Sequence, residues 1–176
     1  MTIRQFCDQK KIPYLIVDIK IIEGEKKVEG REVAWQELSY DDCMRKNKNE
    51  NYRRNFKHIM INLKRSNYMV LDIDGENFIS KWTEKYGDKN KTKSVNKKLP
   101  HLWLKRNTIG ETKNATRIEG EDSYDYIYDF AYENIDEPIE NLSDDEGFEE
   151  FDYENMPKKH IEKKVLKVKI TSDNHK

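Results

Sequence analysis

The stretch Tyr68-Met69-Val70-Leu71-Asp72-Ile73-Asp74-Gly75 limits what this chain can fold into more than any other. It is an apolar run of strand length closing on two acids one residue apart. Strand side chains alternate between faces, so Met69, Leu71 and Ile73 are predicted to point one way, with Asp72 and Asp74 together on the other. Paired carboxylates at a strand end suit divalent cations and in-line phosphoryl chemistry. Packing alone gives little reason for them.

Flanking segments supply the rest of a sheet. Pro13 to Ile22 reads as a strand, and Glu23 to Glu32, with Gly24 and Gly30, as a loop or hairpin. Ser39 is placed to cap a short helix over residues 40–44, and the polar run 45–55 reads as an exposed loop. His58 to Leu63 and Tyr68 to Asp74 are joined by Lys64-Arg65-Ser66-Asn67, a spacing that predicts an antiparallel hairpin. Glu76 to Tyr86 has helical periodicity through Phe78, Ile79, Trp82 and Tyr86, and Gly87 stops it. A basic loop, Lys89 to Lys98, leads to a strand at Leu99–Leu104. Residues 124–135 suit strand or helix, and Val165–Ile170 a last strand. The fold class expected is α+β: a mainly antiparallel sheet, helices packed on one side, and the site on its open face.

Charge divides the chain. Residues 1–118 carry 26 Lys and Arg against 16 Asp and Glu; residues 119–154 carry 16 acids and no Lys or Arg; residues 155–176 carry 7 Lys against 2 acids. A basic body fits a nucleic-acid or nucleotide binder, although a Lys-rich solvated surface gives the same signal. Three segments are expected: a folded domain over 1–135, an acidic disordered segment over 136–160, and a basic tail or terminal strand over 161–176. Cys7 and Cys43 are too few for a disulfide framework and read as reduced intracellular thiols. No apolar run reaches membrane-span length, and the N-terminus does not read as a secretory signal. A soluble, non-secreted protein is expected.

Alone, an Asp-x-Asp, a strand histidine or a lysine-rich loop is usually structural or merely solvated. Their order here is more informative: Asp72 and Asp74, then Ser94 and His101, then an acid within 122–129. Nucleotidyl transfer needs carboxylates to hold metal ions, together with donors for phosphate oxygens. His101 and Trp103 share a strand face, and Lys91, Lys93, Lys97 and Lys98 precede them.

In this order the chain resembles the archaeo-eukaryotic primase superfamily, particularly the primase–polymerase modules of large DNA viruses and plasmids. The resemblance rests on Tyr14–Ile22 with Lys26-Lys27 and Ala34-Trp35, on Leu71-Asp72-Ile73-Asp74, and on Ser94 through His101-Leu-Trp-Leu. It covers roughly residues 10–130. It implies Mg²⁺ or Mn²⁺ held by Asp72, Asp74 and a third acid, Asp125 with Asp129 as alternate. It also implies nucleotide phosphates met by His101 and Ser94. Lys97 and Lys98 would assist there, and Lys105 and Arg106 would follow the nucleic-acid backbone. The partners implied are a single-stranded DNA template, an NTP or dNTP and a replicative helicase, with the host cytoplasm or nucleus as the setting if the protein is viral. The seven-residue step from Ser94 to His101 is longer than the family's compact, Gly-containing form, and the chain ends soon after the third acid.

Two other readings compete. Val70-Leu71-Asp72-Ile73-Asp74-Gly75 also resembles the first motif of haloacid-dehalogenase-type phosphatases, with Asp72 as nucleophile. There Glu76 departs from the pattern, and Asp144-Asp145 would have to supply the later acidic pair. Alternatively, the chain is a catalytically inactive nucleic-acid-binding module regulated by its acidic tail. The polymerase reading requires Asp72, Asp74, His101 and one acid of 122–129 to share a pocket.

Overall fold

A computed structural model describes residues 1–49, 51–95, 99–106 and 124–151. Thr2 opens the first helix, α1 (Ile3–Lys10), through a reciprocal capping box with Gln5. Nothing in the sequence reading anticipated this helix. Its Ile3, Phe6 and Cys7 are buried. Next come β1 (Tyr14–Ile22) and β2 (Glu25–Glu29), the anticipated hairpin.

The second helix, α2 (Tyr40–Asn49), starts where Ser39 and Asp42 cap each other's backbone amides. It runs well past the short helix expected, through residues read as loop. Asn47 explains why: its side chain accepts from the Ile16 amide at 2.9 Å and donates to the Tyr14 carbonyl at 3.1 Å, docking this polar stretch on β1.

Two strands follow, β3 (His58–Asn62) and β4 (Tyr68–Ile73), then α3 (Glu76–Tyr86), which ends at Gly87 with φ of 92°. The remaining strands are β5 (Lys91–Lys93), β6 (Pro100–Lys105), β7 (Tyr124–Ile127) and β8 (Phe130–Asn134). Within the expected basic loop, β5 is an addition. The ambiguous 124–135 run resolves into two strands.

These strands form two antiparallel sheets, ordered β2-β1-β3-β8 and β5-β6-β4-β7. The α+β class therefore holds, but the expected β3–β4 hairpin does not. A 3₁₀ turn at Leu63–Arg65, held by Ser66 Oγ on the Leu63 carbonyl at 2.8 Å, carries the chain from one sheet to the other. β3 is flanked by β1 and β8, and β4 by β6 and β7, so neither has an edge for the other. The β7–β8 connection crosses beside it, where the Lys64 amide donates to the Asp129 carbonyl at 3.2 Å.

Alternation along each strand sets the layers. Between the sheets lie Ile16, Ile59, Ile61, Val70, Trp103 and Ala131, together with the buried face of α1. On the outer face of the first sheet, Leu15, Val17 and Met60 pack against Cys43 of α2 and against Trp35 of the 3₁₀ turn that precedes it. On the outer face of the second, Met69, Leu71, Ile73, Leu102 and Leu104 meet Phe78 and Trp82 of α3. Helices thus cover both sides, not one. Two sheets, each apolar on both faces, need a cover apiece.

The expectation of disorder from residue 136 is overturned as far as Phe151. Ile139, Phe148 and Phe151 are buried, and Phe148 packs against Phe6 and Tyr68. Backbone bonds tie Ile3 to Glu137, Lys91 to Glu140 and Lys105 to Glu149. Three spaced apolar residues anchor the segment; Glu137 is buried and accepts from the Lys93 amide at 2.8 Å, while Asp145 and Glu149 meet Lys10 and Lys89. The expected strand at 165–170 and the tail lie outside the described residues. Cys7 and Cys43 are both free and buried. Among the described residues, no helix is long and apolar enough to cross a membrane.

Candidate functional site

Register brings the separated sequence signals together. In the second sheet Asp72 of β4 pairs with His101 of β6 on one side and with Asp125 of β7 on the other. Directly paired residues project to the same face, so Asp72, His101 and Asp125 form a row across three adjacent strands. Their face is that of Tyr68, Val70 and Trp103, which looks inward to the first sheet. The site is therefore not on an open sheet face, as expected, but at one end of the space between sheets.

The sequence reading missed the group facing this row. Glu133 of β8, in the other sheet, is fully buried. Its Oε1 accepts from His101 Nδ1 at 2.7 Å and from Thr92 Oγ1 at 3.0 Å. Thr92 sits across from His101 on β5 and accepts in turn from Trp103 Nε1 at 3.1 Å. Indole N–H can only donate, so the threonine hydroxyl proton is left to Glu133. The other ring nitrogen, His101 Nε2, lies 3.4 Å from Asp72 Oδ1.

An imidazole between two carboxylates is held as its cation. Burial opposes the charge on His101, but hydrogen bonds with Asp72 and Glu133 and their negative charges outweigh it, raising the pKa to about 9. Burial pushes the Glu133 carboxyl upward, while its bonds to His101 and Thr92 pull the other way. An unpaired ion at this depth would be strongly disfavoured, so each charge depends on the others.

The other candidates divide by position. Asp74 follows the last residue of β4, just before Gly75 at the start of α3, and is partly exposed. Ser94 follows β5 toward the same end of the sheet, but the hydroxyl serving the His101 network is that of Thr92. Lys97 and Lys98 lie outside the described residues. Asp129, the alternate third acid, sits at the crossing turn, where its carboxylate accepts from the Phe130 amide at 2.6 Å; Asp125 holds the place beside Asp72.

Lys105 and Arg106 belong to the opposite end of the β4–β6 pair, with Lys105 across from Tyr68. That is about 13 Å from the acid–histidine end at strand rise. Arg106 there donates to the Leu63 carbonyl at 2.7 Å. Asp145, one of the later acids of the phosphatase reading, is also remote from Asp72. It is bound by Lys10 and by the Tyr68 hydroxyl at 2.7 Å beside a cavity of about 370 Å³ that Lys64 and Arg65 also line.

Among the described residues, no three or more His, Cys, Asp or Glu side chains are gathered into a metal-holding group. No family model, curated protein or solved structure matches the chain.

Proposed function

We propose that the chain is a primase–polymerase-type nucleotidyltransferase that extends primers on single-stranded DNA from NTPs or dNTPs. The row Asp72, His101, Asp125, set by strand register alone, supports this most directly. Residues 53 positions apart along the chain converge there in the combination that phosphoryl chemistry uses: carboxylates beside a cation.

The donor set suits Mg²⁺ or Mn²⁺. Carboxylate oxygens are hard ligands, and Mg²⁺ binds through one or two of them, completing its shell with water and substrate phosphate. Asp72 and Asp125 are the pair that would hold it. Once bound, such ions neutralise triphosphate charge and activate a primer 3′-hydroxyl.

The remaining steps belong to the chain's own groups. His101 carries a positive charge and a second N–H on the Asp72 side, able to donate to a phosphate oxygen of the incoming nucleotide. Thr92 and Glu133 hold that ring from behind. Lys97 and Lys98, which precede β6 in the sequence, are the nucleotide-contacting cations implied by the resemblance. A template backbone touching Lys105 and Arg106 would do so well away from the reaction.

A second reading is favoured by burial. His101 is only 6% exposed and is engaged at both ring nitrogens, as a purely structural ion cluster would be. The chain would then be a nucleic-acid-binding module without catalysis.

Primer extension separates the two. On a primed single-stranded template with Mg²⁺ or Mn²⁺, the wild type is expected to lengthen the primer. Asp72→Asn and Asp125→Asn should each lower the rate by about a hundredfold or more, as loss of transition-state charge stabilisation does. Salt-sensitive DNA binding without any extension would establish the second reading instead.

A further inference from the structure

Glu133 is an unusual residue to find where it is. It lies on β8 among positions that alternate cleanly, with Phe130 and Tyr132 on the outer face and Ala131 inward. At the next inward position stands a fully buried carboxylate. An apolar residue there would be the simpler solution for a strand packed between sheets, because an ion so deep must be compensated by dedicated donors.

Those donors are present on one oxygen only. Oε1 receives both the His101 ring and the Thr92 hydroxyl, whereas Oε2 is buried with no hydrogen-bond partner. Thr92 is itself oriented by the Trp103 indole. Trp103 donates to Thr92 and Thr92 to Glu133 Oε1, while His101 Nδ1–H donates to that same oxygen, so the bonds converge on Oε1 and hold it in one position. The ring anchored there turns its far nitrogen to Asp72. His101 is on one sheet and Glu133 on the other, so the contact also fixes the sheets' separation at this end.

We propose that Glu133, backed by Thr92, is the positioning residue that aims the His101 ring so that its Nε2–H is presented to nucleotide phosphate beside Asp72. This rests on the nucleotidyltransferase reading and deepens it. Glu133 touches neither substrate nor metal in this role; it acts through the ring. Carboxylate partners that orient metal-ligating histidines change affinity or activity by roughly tenfold to a hundredfold when removed, and that range sets the scale for a ring aimed at phosphate.

The test uses the full chain with Glu133→Gln, Thr92→Val and Glu133→Asp, each first checked for cooperative thermal unfolding. Glu133→Gln keeps the side-chain shape, so it remains informative even if a more drastic change prevents folding. Three quantities are measured: the far-downfield Nδ1–H proton signal of His101 by NMR without nucleotide, binding of dATP with Mg²⁺ by calorimetry, and primer-extension kinetics. We expect the NMR signal to be lost or shifted in Glu133→Gln. Its dATP affinity should weaken about tenfold, its kcat should fall by a further factor, and Thr92→Val should show a smaller change of the same kind. Partial recovery with Glu133→Asp, which restores charge at a shorter reach, would support aiming rather than bulk.

If the wild type extends primers and Glu133→Gln matches it in dATP affinity and kcat while unfolding at a lower temperature, Glu133 is structural and the inference is overturned. A wild type that neither binds dATP nor extends a primer overturns the parent reading, and the positioning role with it.

Discussion

His101 on β6 stands directly across from Asp72 on β4, with Nε2 3.4 Å from Oδ1, and the same ring meets Glu133 of the other sheet at 2.7 Å. One imidazole joins both sheets and two carboxylates. Its charge state is therefore coupled to folding as well as to any chemistry.

That coupling has a definite sign. His101 titrates near 9 in the fold against an ordinary value of 6.5. Between those values the folded state binds the extra proton, so stability falls as pH rises. The stabilisation is complete below about pH 6.5 and is lost on passing pH 9; the shift corresponds to about 3 kcal/mol. Thermal unfolding across pH 6 to 10 should show this decline in the wild type. His101→Gln should flatten it, and an equal slope in both would remove the histidine as its cause.

Metal binding should depend on the carboxylate row before any polymerisation is measured. Titration of the chain with Mn²⁺ and nucleotide is expected to give weaker binding by at least about tenfold in Asp72→Asn and Asp125→Asn, since each removes one hard oxygen ligand. Asp129→Asn, altered at the crossing turn, should bind as the wild type does. Extension should stop with EDTA and return when Mg²⁺ or Mn²⁺ is restored.

Phe148 tests whether the acidic segment belongs to the cooperative fold. It is 4% exposed and packs on Phe6 and Tyr68 at ring separations of 5.9 and 5.1 Å. Phe148→Ala is expected to lower stability by about 3–5 kcal/mol in chemical denaturation, the usual consequence of emptying a large aromatic site. A loosely attached segment would give almost no change.

Gly30 has φ of 94°, and a Cβ there would sit 2.8 Å from Arg53 Nη1 and 3.0 Å from Phe56. The guanidinium cannot readily yield, because Nη1 donates to the Ile16 and Gly30 carbonyls at 2.6 and 2.8 Å. Gly30→Ala is expected to destabilise by about 1–3 kcal/mol through backbone strain and this contact. Gly24 has φ of 79° but open space around it, so alanine there should bring the backbone penalty alone. Comparing the two melting temperatures isolates the steric part.

Local signals were readable wherever a helical period or an apolar run of strand length went uninterrupted. The helix over Glu76–Tyr86 follows from spacing, because burial of one face imposes it, and the strands around Leu71, Ile16 and Leu102 from short apolar runs that are buried on both faces. The polar 45–49 stretch concealed the end of α2, since its anchoring group is an amide and not a hydrocarbon. Likewise Glu133 looked like one more acid in an acidic run. What marks it is the identity of the donors around it, and those lie on Thr92 and His101 of another sheet.

By itself the sequence determined the apolar strands around β1, β3, β4 and β6, the helix α3, the face on which Asp72 projects and the chemical types available to a site. Tertiary structure decided which strands are neighbours. It sent β3 and β4 to different sheets, seated Asp125 rather than Asp129 beside Asp72, and closed the acids' face with a second sheet. The reason is physical: alternation is a property of a few consecutive residues, whereas pairing depends on which strand edges and apolar faces remain to be satisfied across the whole chain.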